Sequence, residues 1–146
     1  MLSVTQVPGN GTDTCACPDG FLRCAGRCWH WVKKFYDYTG AEQYCDGLGA
    51  HLATPRTTEE NKCLDVVSSF SYNPYWLSYQ LSTDSSYVGG DGCGQLNYTA
   101  WDEAEPVLND DEHCMGYFFE HWFVKPCDTI HDVICQLPNC YQPQCQ

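Results

Sequence analysis

Twelve cysteines in 146 residues constrain this chain more than any other feature. At that density a disulfide scaffold is the default reading, and the even count lets every thiol pair. Paired thiols persist in an oxidising compartment, so the chain is expected to be secreted and extracellular. Asn10-Gly-Thr12 and Asn97-Tyr-Thr99 fit the N-glycosylation acceptor pattern, which agrees with that compartment. Residues 1–6 carry neither a positive region nor an apolar stretch of the signal-peptide kind, so the chain reads as a mature or trimmed form. No apolar run approaches the roughly 18 residues of a membrane span. Length admits one domain with a single core.

Seven Lys and Arg against nineteen Asp and Glu leave a formal charge of −12. Binding a phosphate backbone needs clustered cations, so nucleic acid is excluded as the expected partner.

Residues 1–14, rich in Gly, Thr, Asn and Pro, read as a flexible leader. Cys17-Pro-Asp-Gly20 is a turn sequence, Phe21-Leu22 a short extended piece, and Cys28-Trp-His-Trp-Val32 a strand whose rings suit a pleated surface. A Cys17 to Cys28 disulfide would staple this hairpin. Asp37 is placed to cap a helix whose Tyr38, Ala41, Cys45 and Leu48 form one stripe, with Gly49 ending it. Thr57 and Glu60 form a capping box for a second helix, running to about Phe70, that turns Cys63, Leu64 and Val67 inward. Asn73-Pro74 leads into a buried strand, Tyr75-Trp-Leu-Ser-Tyr79. Residues 82–97 form a long loop with few apolar anchors, of the kind that often carries function.

Between Trp101 and Cys135 short aromatic strands alternate with an acidic loop, in which six of the eleven residues from Asp102 to Glu112 are acidic. In order along the chain stand Cys17-Pro-x-Gly-Phe21, Cys28, Ala41-x-x-x-Cys45 with Gly49 and Leu52, Trp76-Leu77, Trp101 with Glu105-Pro106, Glu112-x-Cys114, Trp122 five before Cys127, and Ile134-Cys135. In this order and spacing the chain resembles the C-type lectin-like domain family, in the long form with an N-terminal hairpin disulfide. It is similar to secreted invertebrate-type lectins with a degenerate calcium site.

The resemblance implies an α+β, disulfide-rich fold of two helices and two small antiparallel sheets with a long loop region. The domain is expected over 15–137, followed by a cysteine-containing tail, 138–146. It implies the bridges Cys17 to Cys28, Cys45 to Cys135 and Cys114 to Cys127. Of the remaining cysteines, Cys63 on the second helix and Cys93 in the long loop are expected to pair. Cys15, Cys24, Cys140 and Cys145 are open to bridges within the chain or between chains, the latter giving a disulfide-linked homo- or hetero-oligomer.

In sugar-binding members that the chain resembles, calcium is held by five side chains, and here those positions are Glu105, Val107, Glu112, Phe123 and Val124. Three of them are hydrocarbon, and calcium wants six to eight oxygens. Leu81, Ser85, Leu108 and His113 stand where a second loop calcium would need carboxylates. No metal or other cofactor is therefore expected, and calcium is not expected at the usual position. A sugar is expected to be held directly, by Glu105, Asn109, Asp111, Glu112 and His113 in the acidic loop accepting or donating hydrogen bonds, with Phe123 stacking on an apolar face. Trp31, Trp76, Trp101 and Trp122 are read as core anchors, since large aromatics dominate cores.

No Gly-x-Ser-x-Gly elbow, no free-thiol Cys-His constellation and no helical His pair occurs, so catalysis and zinc ligation have no support. The expected function is calcium-independent glycan recognition, in agglutination or innate immune recognition. The alternative is a module of the same fold that binds a protein or mineral surface.

Overall fold

The structure is a computed structural model that describes residues 16–71, 73–81, 87–106 and 114–138. The leader, Asn10 and Cys15, the loop residues Val107, Asn109, Asp111, Glu112 and His113, and the tail cysteines Cys140 and Cys145 lie outside the described residues.

The chain order is β1 (Leu22–Cys24), β2 (Arg27–Tyr36), α1 (Tyr38–Gly47), β3 (His51–Leu52), α2 (Thr58–Val67), β4 (Tyr75–Trp76), β5 (Tyr79–Leu81), β6 (Tyr87–Gly89), β7 (Cys114–Phe118), β8 (His121–Lys125) and β9 (His131–Gln136). In the larger sheet the strands run β1-β2-β9-β4-β7-β8, with β3 also on β9, while β5 and β6 pair as a separate hairpin. This is the α+β plan expected from the resemblance.

Local chemistry starts and stops both helices. Asp37 accepts the Gly40 N–H at 2.8 Å and caps α1. Gly49 follows the end in the left-handed region, φ +73°, and its N–H returns to the Asp46 carbonyl. Thr57 accepts the Glu60 N–H at 3.0 Å and caps α2. The other half of the expected capping box is absent, because the Glu60 carboxylate turns away to Arg27 Nε and the Arg56 N–H. α2 also stops at Val67, short of Phe70, with Ser69 and Phe70 both at φ 55°.

The main sheet separates two apolar clusters. Trp29, Leu64, Tyr75, Leu77, Met115, Tyr117, Trp122 and Ile134 pack on the α2 side, and Val32, Tyr38, Ala41, Trp76, Val133 and Cys135 on the α1 side. Strand alternation explains the split: neighbours Tyr75 and Trp76, or Ile134 and Cys135, point to opposite faces. All six residues of β9 are buried, as a strand covered on both faces requires.

Cys17–Cys28, Cys45–Cys135 and Cys114–Cys127 are bonded as expected. Cys63 is not bonded to Cys93. It joins Cys24, tying the end of β1 to α2 across 39 positions, and so Cys24 is not available to link chains. Cys93 is itself disulfide-bonded. Trp76 and Trp122 are fully buried, whereas Trp31 and Trp101 are only partly so. Among the described residues no helix is long and apolar enough to cross a membrane.

Candidate functional site

The site grows from the β7–β8 hairpin. On its inner face α2 supplies polar anchors. Trp122 Nε1 donates to Asn61 Oδ1 at 2.8 Å, and the Tyr117 hydroxyl donates to Asp65 Oδ2 at 2.8 Å. Asn61 Nδ2 in turn donates to the Glu120 carbonyl at 2.9 Å. That last bond holds the two-residue turn, Phe119-Glu120, whose φ values of 49° and 71° belong to a hairpin turn normally built on Asn and Gly. α2 therefore fixes the hairpin's inner face and its tip together.

The outer face carries what α1 leaves uncovered. Phe123 pairs with Gly116 across the hairpin, and its ring lies over that glycine so closely that a Cβ there would come within 2.4 Å of the ring. His131, at the start of β9, lies against Trp76 with ring centroids 4.4 Å apart and the planes tilted by 55°, and meets the Phe123 ring edge-on at 5.7 Å. Lys125 Nζ is 5.8 Å from the Phe123 centroid. Phe118 and Phe119 close one end of a cavity of about 490 Å³ whose rim carries Asp102 and Glu105.

Glu105 is delivered by residues 100–105 running alongside β8. Trp122 N–H donates to the Ala100 carbonyl, Asp102 N–H to Trp122, and Glu105 N–H to Asp102. The peptide bond to Pro106 is cis, and Glu105 Oε1 accepts the Val124 N–H at 3.1 Å.

His131 is 8% exposed, and Nε2 has no hydrogen-bond partner. Burial, with the Lys125 charge second, lowers its pKa to about 4, against a hydrogen bond to the Ile130 backbone that works the other way. The ring is thus neutral near pH 7 and lies buried between Trp76 and Phe123.

Glu105 and Phe123 line the same cavity; Asn109, Asp111, Glu112 and His113 lie outside the described residues. His131 is the residue that sequence reading missed. Its alternation with Val133 and Cys135 places it on the same face as Trp76, but nothing in the pattern says that Phe123 of β8 meets it there.

The family's usual calcium position does not fit the described residues. Glu105 gives an oxygen to a backbone amide, Phe123 offers a ring, and Val124 is a buried hydrocarbon. Among the described residues no three His, Cys, Asp or Glu side chains gather to hold a metal ion.

The family profile described as Lectin C-type domain matches residues 34–137. A C-type lectin mannose-binding isoform of Notechis scutatus scutatus is 26% identical over 140 residues, covering 87% of each chain. Mouse C-type lectin domain family 4 member G is 30% identical over 86% of this chain, which spans only 44% of that longer protein. Among solved structures, herring type II antifreeze protein superposes with a TM-score of 0.75 at 24% identity, over 84% of this chain and 98% of that one. The complex of SPL-1 with GlcNAc superposes with 0.74 at 22%, over 86% and 97%. With the profile spanning both helices and every strand from α1 to β9, and the three expected bridges in place, the chain belongs to the C-type lectin domain family.

Proposed function

We propose that the protein is a secreted lectin that binds glycans directly, without calcium at the family's usual position. The observation that carries this reading is the cavity on the outer face of β7–β8, which the Phe123 ring, Lys125 and Glu105 line together. An apolar sugar face suits the ring, and a sugar hydroxyl or acetamido N–H suits the Glu105 carboxylate. In this reading Asn109, Asp111, Glu112 and His113 of the acidic loop supply further hydrogen bonds to the sugar. The mannose-binding and GlcNAc-bound relatives support a sugar as the ligand class. Asn97 is exposed, as a glycan acceptor must be.

A second reading is a module that docks on a protein or mineral surface. The exposed pair Phe118 and Phe119 at the hairpin tip, with ring centroids 4.5 Å apart, favours it, as does the antifreeze protein of like fold. A glycan array run in EDTA separates the two: the first reading expects retained binding, the second none. Calorimetry with N-acetylglucosamine, after dialysis against EDTA, tests the site itself. Phe123→Ala and Glu105→Gln should each weaken binding several-fold. Loss of binding in EDTA with recovery on adding calcium would overturn the metal-free site.

A further inference from the structure

Strand register leaves part of the main sheet's α2 face uncovered. Leu22 pairs with Trp29, Trp31 with Ile134 and Phe35 with Asp132, so Leu22, Trp29, Trp31 and Phe35 point to one face, the bulge after Val32 keeping Phe35 in step. Trp29 is fully buried in the cluster on α2, but Leu22 and Phe35 are 56% and 55% exposed and Trp31 is only partly buried. Phe70, just past the end of α2, is 49% exposed, and Ser71 Oγ lies 3.5 Å from Asp132 Oδ2 on the same face. Between the β1–β2 hairpin and the end of α2 runs a groove of about 390 Å³, walled by Leu22, Trp31, Lys33, Val67 and Ser69 among others. It shares no lining residue with the cavity built on Phe123. The Cys24–Cys63 bridge ties β1 to α2, so the two walls are held together.

The charge around this groove runs against that of the chain. Residues 20–36 hold four of the seven Lys and Arg and no Asp or Glu, so all nineteen carboxylates lie elsewhere. Arg27 is turned inward to Glu60, while Arg23, Lys33 and Lys34 are exposed. Lys33 Nζ stands 5.2 Å from the Trp31 ring centroid, at the groove itself. Behind that ring Asp132 is 3% exposed and accepts from Trp31 Nε1 at 3.2 Å, so its carboxyl is turned inward.

An exposed apolar patch with a charged rim marks a contact surface, and a basic rim selects an anionic partner. Two polar atoms of the walls are already committed, Trp31 Nε1 to Asp132 and His30 Nδ1 to the Gly20 carbonyl at 2.7 Å. Hydrocarbon rather than a run of sugar hydroxyls therefore suits the groove. A second copy docked by the same patch about a two-fold axis would set Lys33 and Lys34 against themselves. An anionic bilayer or a nucleic acid extends past the groove and meets the carboxylates beyond it. A short segment meets only the charges within a Debye length, about 8 Å at physiological salt.

We propose that this groove docks an acidic segment of a partner protein, with an aromatic or aliphatic anchor against Trp31, Leu22 and Val67 and flanking carboxylates on Lys33 and Lys34. The probe is a random peptide library displayed on phage and selected on the intact chain, with the enriched peptides then synthesised for calorimetry. Enriched peptides should be acidic and carry a Phe, Trp, Leu or Ile, and their binding should weaken as salt is raised. Lys33→Glu should weaken the best peptide at least about tenfold, by reversing the charge at the rim. Leu22→Ser should weaken it about fivefold through lost apolar contact, while Tm stays close to wild type because Leu22 is 56% exposed. Glu105→Gln should leave peptide binding unchanged, which separates the groove from the glycan face. Chondroitin sulfate and phosphatidylserine vesicles, titrated alongside, should show no binding that depends on Lys33. Failure to enrich acidic peptides, or equal peptide binding by Lys33→Glu, would overturn the proposal. So would Lys33-dependent binding of either polyanion, or self-association of the chain that Lys33→Glu abolishes.

Discussion

His131 makes stability sensitive to acid. Its folded pKa of about 4 lies below the ordinary imidazole value near 6.5, so below that value the unfolded chain binds the proton more readily. Stability drawn from the neutral ring is complete above about pH 6.5 and is lost as pH falls toward about 4. Asp65 and Asp132 have the opposite sign: burial raises both carboxyls, so acid relieves them. The wild-type slope is therefore a sum, and a difference is needed. Between pH 7.5 and 4.5 the Tm of His131→Gln should fall less than that of wild type; parallel slopes in differential scanning calorimetry would remove the assignment. Gly116 gives a second test at this scale. Gly116→Ala must displace the Phe123 ring, because the new Cβ would sit 2.4 Å from it. An overpacking loss of about 1–3 kcal/mol in urea unfolding is expected, together with weaker glycan binding.

Among the elements, α2 matters less for length than for its three buried polar side chains, Glu60, Asn61 and Asp65. Asn61→Ala strips the partner from Trp122 Nε1 in the core and frees the Glu120 carbonyl in the turn. A loss of about 1–3 kcal/mol follows from the buried indole N–H alone, measurable by chemical unfolding. The helices were legible in the sequence because their signals are local: Asp37, Thr57 and Gly49 act within a turn of themselves. Pairing across the chain was less so. Cys24 and Cys63 meet only because β1 packs against α2, and no spacing rule carries that information, whereas Cys17 and Cys28 are only 11 positions apart. For the same reason the candidate site was half visible. The residue types at Glu105 and Phe123 could be read, but the burial of His131 between Trp76 and Phe123 joins residues of three separate strands, which no local pattern encodes. Breaking the unforeseen bridge, as Cys24→Ser with Cys63→Ser, should cost about 4 kcal/mol by loop-entropy reasoning.

Across the molecule the bridges differ in access. Cys45 and Cys135 are both 0% exposed, while Cys17, Cys24 and Cys127 are each partly open. Under graded dithiothreitol with alkylation and mass mapping, Cys45–Cys135 should be the last of these four to open, since exchange needs a thiolate to reach the sulfur. Early labelling of Cys45 would contradict the burial. That bridge ends in β9, the latest of the strands in chain order, which pairs with β2, β3 and β4 at once. During synthesis the earlier strands therefore emerge with the middle of their sheet missing. Folding of this domain must wait until residue 136 has cleared the ribosome exit, and until then Cys45 has only wrong partners within reach. Efficient production should accordingly depend on disulfide isomerase activity acting after, rather than during, chain elongation.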